Sequence, residues 1–268
     1  MRTALPLVLV LLCFLTGCLT LDGEPLRLNI LSTPQEIQLG EQLAEQIEQK
    51  EKISTDAELQ AYVTAIGERL SRVSTRQDVP YRFTVIDNPD TVNAFALPGG
   101  HMYFYTGLMK LCENEAELAA VMAHEMAHVA AHHHGEAMTR QVGYGFLMQA
   151  VFGEDPSTLV TLASNLLGTG IMSYYSRDNE READALAMEF LFRSGYNPDA
   201  MISFMHKLME EERRAGGGRP MPIFASHPPT QERLERLQNL AQRYPVSART
   251  EGPVYEERYR EIVLSRLE

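Results

Sequence analysis

The sequence predicts an α+β fold that is mainly helical, with one small antiparallel sheet. Three observations carry that prediction. Alternation of apolar and polar residues is confined to a short stretch between Tyr81 and Tyr105. Helical spacing dominates from residue 106 onward. Hydrophobic residues make up 44% of the 268 positions and charged residues 22%, a globular balance that excludes disorder and low-complexity scaffolds.

Taken in order, a helix is expected over about residues 34–50. A second follows the Thr55/Asp56 cap, where Leu59, Val63, Ile66 and Leu70 share one helical face. Tyr81, Phe83 and Val85 alternate with Arg82 and Thr84, a strand pattern. Two further strands are expected in Thr91–Leu97 and His101–Tyr105, with Pro98-Gly99-Gly100 turning between them. A long helix starts at Asn114, with Glu117 three residues on as in a capping box. More helices are expected near 136–152, 157–175, 178–194, 198–214, 229–243 and 254–266. Residues 143–175 are apolar but interrupted by Glu154-Asp155-Pro156, so neither half spans a bilayer. Gly216-Gly217-Gly218 reads as a flexible loop.

Residues 1–17 read as a leader: an early cation, Arg2, precedes an apolar run from Ala4 to Leu15 that is too short to cross a membrane. The run ends in Leu15-Thr16-Gly17-Cys18, which resembles the lipobox of bacterial lipoproteins. That resemblance implies cleavage before Cys18, a lipid on Cys18, and residues 18–33 as a membrane tether. Leu19 in place of an aspartate then points to the outer membrane. One domain over 34–268 follows. Thirty-six acidic residues against 24 basic ones give a net charge of −12, which repels phosphate backbones and excludes nucleic acid as a partner. Cys112 is expected to be a buried thiol, since no nucleophile pattern surrounds it.

The chemistry is carried by His124-Glu125-Met126-Ala127-His128. Positions four apart share a helical face, so both imidazoles reach one ion. Glu125, beside the first ligand, is placed to take a proton from water. Zinc suits two imidazoles and one carboxylate. Two routes to a third ligand compete. His134 has the metzincin spacing, but Ala131 stands where that signature needs a helix-breaking glycine. On an unbroken helix His134 is rotated about 80° from His124. In Glu180-Arg181-Glu182-Ala183-Asp184, Glu180 and Asp184 share one face while Glu182 points elsewhere. Glu180 is the expected ligand, and Asp184 the acceptor of the spare N–H of His124.

These residues resemble the HExxH/ExxxD zinc metallopeptidases, the family of the CAAX prenyl endopeptidase, HtpX, BepA and LoiP. The motifs are Asn93-Ala94-Phe95-Ala96-Leu97-Pro98-Gly99-Gly100, the HExxH with His133 following, Ser176-Arg177 leading to Glu180 and Asp184, and Ser226-His227-Pro228. The layout is most similar to the LoiP- and BepA-type periplasmic peptidases in a lipoprotein form. The resemblance implies a gluzincin-like fold and one zinc on His124, His128 and Glu180, with Glu125 as general base and acid. It also implies a substrate-binding strand at Asn93, Ala94 and Phe95, and a His227 that serves as switch ligand or transition-state stabiliser. The expected activity is a lipid-anchored endopeptidase on the periplasmic side of the envelope, acting on unfolded or misassembled proteins. Two alternatives are a proteolytically silent assembly factor and a metal-binding lipoprotein. The intact HExxH and ExxxD argue against the first, since a pure binding module needs no Glu125; the second would bind more than one zinc per chain and survive loss of Glu125.

Overall fold

The computed structural model describes residues 20–21, 24–25, 29, 31–142, 161, 164, 175–215 and 221–267. The leader, Cys18, most of the apolar 143–175 stretch and the triple-glycine loop lie outside the described residues. Strands β1 (Thr20–Leu21) and β2 (Glu24–Pro25) pair antiparallel. Helices α1 (Thr33–Lys50) and α2 (Ala57–Ser71) follow, the second capped by Asp56, whose side chain accepts from the Glu58 and Leu59 amides.

Next come β3 (Arg82–Ile86), β4 (Ala94–Ala96) and β5 (His101–Tyr105), in the sheet order β3-β5-β4. The sheet is mixed, which corrects the expectation of a wholly antiparallel one. β4 pairs antiparallel with β5, but β3 pairs parallel with it. The reason is topological: two chain reversals return β5 to the direction of β3, and β5 inserts between the other two strands. Gly99 makes the second reversal possible. Its φ of 75° is left-handed, and a side chain there would strike the α1 backbone at Ile37.

Helix α3 (Thr106–Leu111) leads to α4 (Glu115–Ala130), around which the core is built. Every residue of α4 from Glu115 to Val129 is buried. Alanines at 116, 119, 120, 123 and 127 let neighbouring elements approach closely, and α4 packs most extensively against α6 (Arg177–Arg193). Asn114 caps α4 by accepting from the Glu117 amide, while Glu117 reaches back to the Glu113 amide.

The helix stops at Ala131, and His132 is left-handed at φ 59°. This corrects the expectation of an unbroken helix through His134. No glycine is needed because the turn is held from outside. His132 Nδ1 lies 3.1 Å from Glu36 and 3.0 Å from Asn29, and Arg76 donates to the Val129 carbonyl at the helix end. Helix α5 (His133–Val142) then starts afresh. Helix α7 (Ala200–Ala215) packs on α4, α8 (Pro222–Ser226) follows, and α9 (Gln231–Ala241) packs on α7 and α6. The expected helix at 254–266 is broken into Glu256–Tyr259, a π turn at Arg260–Leu264 and Ser265–Leu267. No helix among the described residues is long and apolar enough to cross a membrane.

Candidate metal centre

Three elements converge on one buried cluster. The C-terminal half of α4 presents His124 and His128 one turn apart, α6 presents Glu180 from its first turn, and His227 caps the end of α8. Ser176 fixes the start of α6 through a reciprocal cap with Asn179, which sets the phase that turns Glu180 and Asp184 inward. His128, His124, Glu180 and His227 are 0%, 5%, 4% and 5% exposed. Their four candidate donor atoms lie within 4.8 Å of one another.

The distances inside the cluster have a telling scale. His124 Nε2 lies 3.1 Å from His128 Nε2 and 3.2 Å from His227 Nδ1. Glu180 Oε1 lies 3.3 Å from His128 Nε2 and 2.9 Å from His227 Nδ1. Four donors bonded at about 2.0–2.1 Å to a tetrahedral zinc are separated by about 3.3 Å. The donor set therefore fits that ion in type and number, and four of its six separations fit in scale.

Charge gives the same answer. The cluster buries three carboxylates, Glu125, Glu180 and Asp184, and one guanidinium, Arg233. With neutral imidazoles, −3 and +1 leave −2, which one divalent cation neutralises. Arg233 holds Asp184 with its Nε and Nη2, at 3.0 and 2.6 Å, and reaches Glu180 with Nη1 at 2.8 Å. Asp184 Oδ1 in turn lies 3.2 Å from His124 Nδ1.

Protonation in the metal-free cluster follows from burial and neighbours. Burial would depress the His124 imidazole, but Asp184 and Glu180 outweigh it and hold it up to about 9. Burial holds His128 well below the ordinary imidazole value, against the pull of Glu180. Burial would raise Glu180, yet His227 and Arg233 keep its carboxyl well below the usual range. Burial pushes Glu125 upward against His227 and His124, with a smaller lowering contribution from the Ala96 main chain. Glu125 Oε1 lies 3.3 Å from His227 Nε2, while buried Oε2 has no hydrogen-bond partner among the described residues.

The structure thus gathers His124, Glu125, His128, Glu180, Asp184 and His227. It treats the Asn93–Phe95 strand less uniformly. Tyr105 N–H donates to Asn93 O, and Leu97 N–H to His101 O. Alternation along the ladder therefore turns the Phe95 main chain toward β5 and the Ala94 and Ala96 groups to the outer edge. The Phe95 ring stacks on Tyr103 at 5.0 Å, while Ala94 and Ala96 sit in the core with α4. Ala96 O is already 3.0 Å from His134 Nε2. Thus His134, although it follows a helix break, faces the sheet and not the cluster. The opposite sheet edge, β3, is covered by Gln60 and by the 52–54 segment.

Two residues escaped sequence reasoning, and a third, His133, was named only as following the HExxH. Arg233 sits on α9, far along the chain; the available signal was two acids on one buried face, which demand a cation. Tyr175 stacks on His128 at 3.7 Å and lies 3.1 Å from His134 Nε2, and nothing in its surroundings in sequence marks it. His133 contacts His128 from within the histidine run. Beside the cluster, Met201, Phe204, Met205, Leu208 and Ile223 line a small apolar hollow that also borders His124, Glu125 and His227.

Residues 57–241 match the profile of peptidase family M48. The chain belongs to that family. It is 33% identical over 223 residues to the beta-barrel assembly-enhancing protease of Escherichia coli K12, covering 80% of this chain and 45% of that protein. It is 31% identical over 179 residues to the mitochondrial metalloendopeptidase OMA1 of Schizosaccharomyces pombe, covering 66% and 51% respectively. With metalloprotease LoiP of Escherichia coli K12 it shares 29% identity over 240 residues, 84% of this chain and 91% of LoiP. The chain spans about half the length of the assembly-enhancing proteases it matches. As a member of this metallopeptidase family it is expected to hold a metal, and the histidine-carboxylate cluster is where its residues fit one.

Proposed function

We propose that the protein is a zinc endopeptidase of the bacterial envelope. The observation that carries this reading is the buried set of four donors within 4.8 Å of one another, beside a carboxylate oxygen with no hydrogen-bond partner among the described residues. His124, His128 and Glu180 would hold zinc, and His227 would complete the resting set. When bound, zinc supplies a Lewis acid that polarises the scissile carbonyl and acidifies water.

The chain's own residues do the rest. Glu125 receives the proton of the attacking water on Oε2 and delivers it to the leaving amine. Arg233 keeps Asp184 and Glu180 ionised and fixed, so that the ligands meet the metal without rearranging. An extended substrate pairs with the outer edge of β4 through the Ala94 main chain, which lies two residues from the Ala96–Glu125 contact. The apolar hollow receives a nonpolar side chain next to the scissile bond. His227 must withdraw for water and substrate to enter, which restrains the resting enzyme. The leader and Cys18 would anchor the protein by lipid to the outer membrane, where unfolded or misassembled envelope proteins are its substrates.

The test pairs zinc analysis with casein hydrolysis. One zinc per chain and chelator-sensitive cleavage are expected, and Glu125→Gln should keep the zinc while losing about 10²–10⁴ in turnover. Wild-type cleavage by that variant would end the assignment. For the anchor, Cys18→Ala should abolish labelling by a palmitate analogue; an unlabelled wild type would remove the lipid from the account.

A further inference from the structure

The two histidines of the HExxH are supported differently. His124 turns its second nitrogen, Nδ1, to a buried carboxylate, Asp184, at 3.2 Å. His128 turns Nδ1 to another imidazole: His133 Nδ1 lies 2.9 Å away, and His133 Nε2 lies 3.3 Å from Glu182 Oε2. His133 is fully buried, whereas Glu182 is 36% exposed. Glu182 is thus turned away from the metal cluster, as its position on the helix requires, but it is still connected to it.

Two nitrogens 2.9 Å apart require one proton between them. If His128 gives its Nε2 lone pair to a metal, its single ring proton sits on Nδ1 and is donated to His133 Nδ1. His133 must then carry its own proton on Nε2, facing Glu182. Each tautomer in the series fixes the next. We propose that His133 and Glu182 are positioning residues that lock His128 in its ligating tautomer and orientation, and so set the affinity of the site for zinc. The inference rests on His128 being a ligand. Neither residue touches the metal or the substrate. The carboxylate acts through an imidazole spacer because the helix break at Ala131–His132 places a histidine, and not an acid, against His128.

The experiment measures zinc affinity by competition with a chromophoric chelator, and the visible spectrum of the cobalt(II)-substituted protein. His133→Ala should lose roughly 10–100-fold in zinc affinity and shift the cobalt bands, because His128 is free to rotate. His133→Asn should recover most of that loss, since its amide oxygen accepts from His128 Nδ1–H at the position of the lost ring nitrogen. Glu182→Gln, at the half-exposed end, should give a smaller loss in the same direction. The change should appear in kcat more than in KM, because the substrate edge is untouched. Unchanged affinity and spectrum in both His133→Ala and Glu182→Gln would overturn the proposal. If His133→Ala fails to fold, Glu182→Gln and His133→Asn decide alone: an unshifted Glu182→Gln overturns it. A wild-type protein that binds no zinc would instead overturn the underlying metal assignment.

Discussion

The two ends of α4 both bury carboxylates, and they treat them in opposite ways. At the start of the helix, Glu115 accepts from Tyr62 at 2.5 Å, Tyr196 at 2.7 Å and Arg258 Nε at 2.8 Å. Glu117 accepts from the Glu113 amide, from Ser203 at 2.5 Å and from Lys207 at 2.6 Å. Protein donors satisfy these acids. At the other end, Glu125 Oε2 lacks a hydrogen-bond partner among the described residues, and beside Glu180 the His128 and His227 nitrogens crowd to 3.1 and 3.2 Å from His124 Nε2. An apolar core tolerates the first arrangement outright. It tolerates the second only if something else completes it. The difference separates acids that hold the fold together from acids that hold a ligand.

Substitutions at the two ends should therefore separate cleanly. Glu180→Ala should weaken zinc binding by more than the roughly 10–100-fold typical of outer partners, and abolish cleavage, as read by metal analysis and casein hydrolysis. Glu115→Ala should leave zinc stoichiometry at wild type while costing about 3 kcal/mol of stability in denaturant titration. Most of that cost comes from two buried tyrosine hydroxyls left unsatisfied, since Arg258 is half-exposed and keeps its hydration. Zinc loss in Glu115→Ala, or full zinc in Glu180→Ala, would break the comparison.

A smaller effect sharpens it from the side. Burial holds His134 down to about 4, so between pH 6.5 and about 4 the unfolded chain takes up a proton that the native imidazole refuses. Stability therefore falls on acidification across that window, by up to about 1.4 kcal/mol per pH unit from this group. His134→Gln, whose amide can still donate to the Ala96 carbonyl, should flatten the slope by that amount. Identical slopes in denaturant titrations at pH 4.5 and 6.5 would remove His134 from the account.

What could be read in the sequence followed how far each signal reaches along the chain. The HExxH pair, the shared face of Glu180 and Asp184, and the cap at Asn114 are all local relations of three or four residues, and helical geometry makes them legible. The parallel pairing of β3 with β5 was not legible, because strand alternation gives faces and not order. Nor was the break after Ala131: alanine favours the helix, and the left-handed His132 is stabilised by Glu36 and Asn29, 96 and 103 residues away. Arg233 was invisible for the same reason, since its partners lie on α6. The site's ligands are local facts, whereas the groups that hold those ligands in place are tertiary ones.

The central claim, that a divalent metal completes the buried cluster, is tested most directly by thermal unfolding with and without a chelator. At free zinc a thousandfold above Kd, binding adds about 4 kcal/mol to stability. At about 2–4 °C per kcal/mol for a chain of this size, chelation should lower Tm by roughly 8–16 °C, and re-added zinc should restore it. Glu180→Ala should melt at the same temperature with or without chelator. A wild-type Tm that chelation leaves unmoved, in protein shown to contain zinc beforehand and none afterwards, would contradict the account.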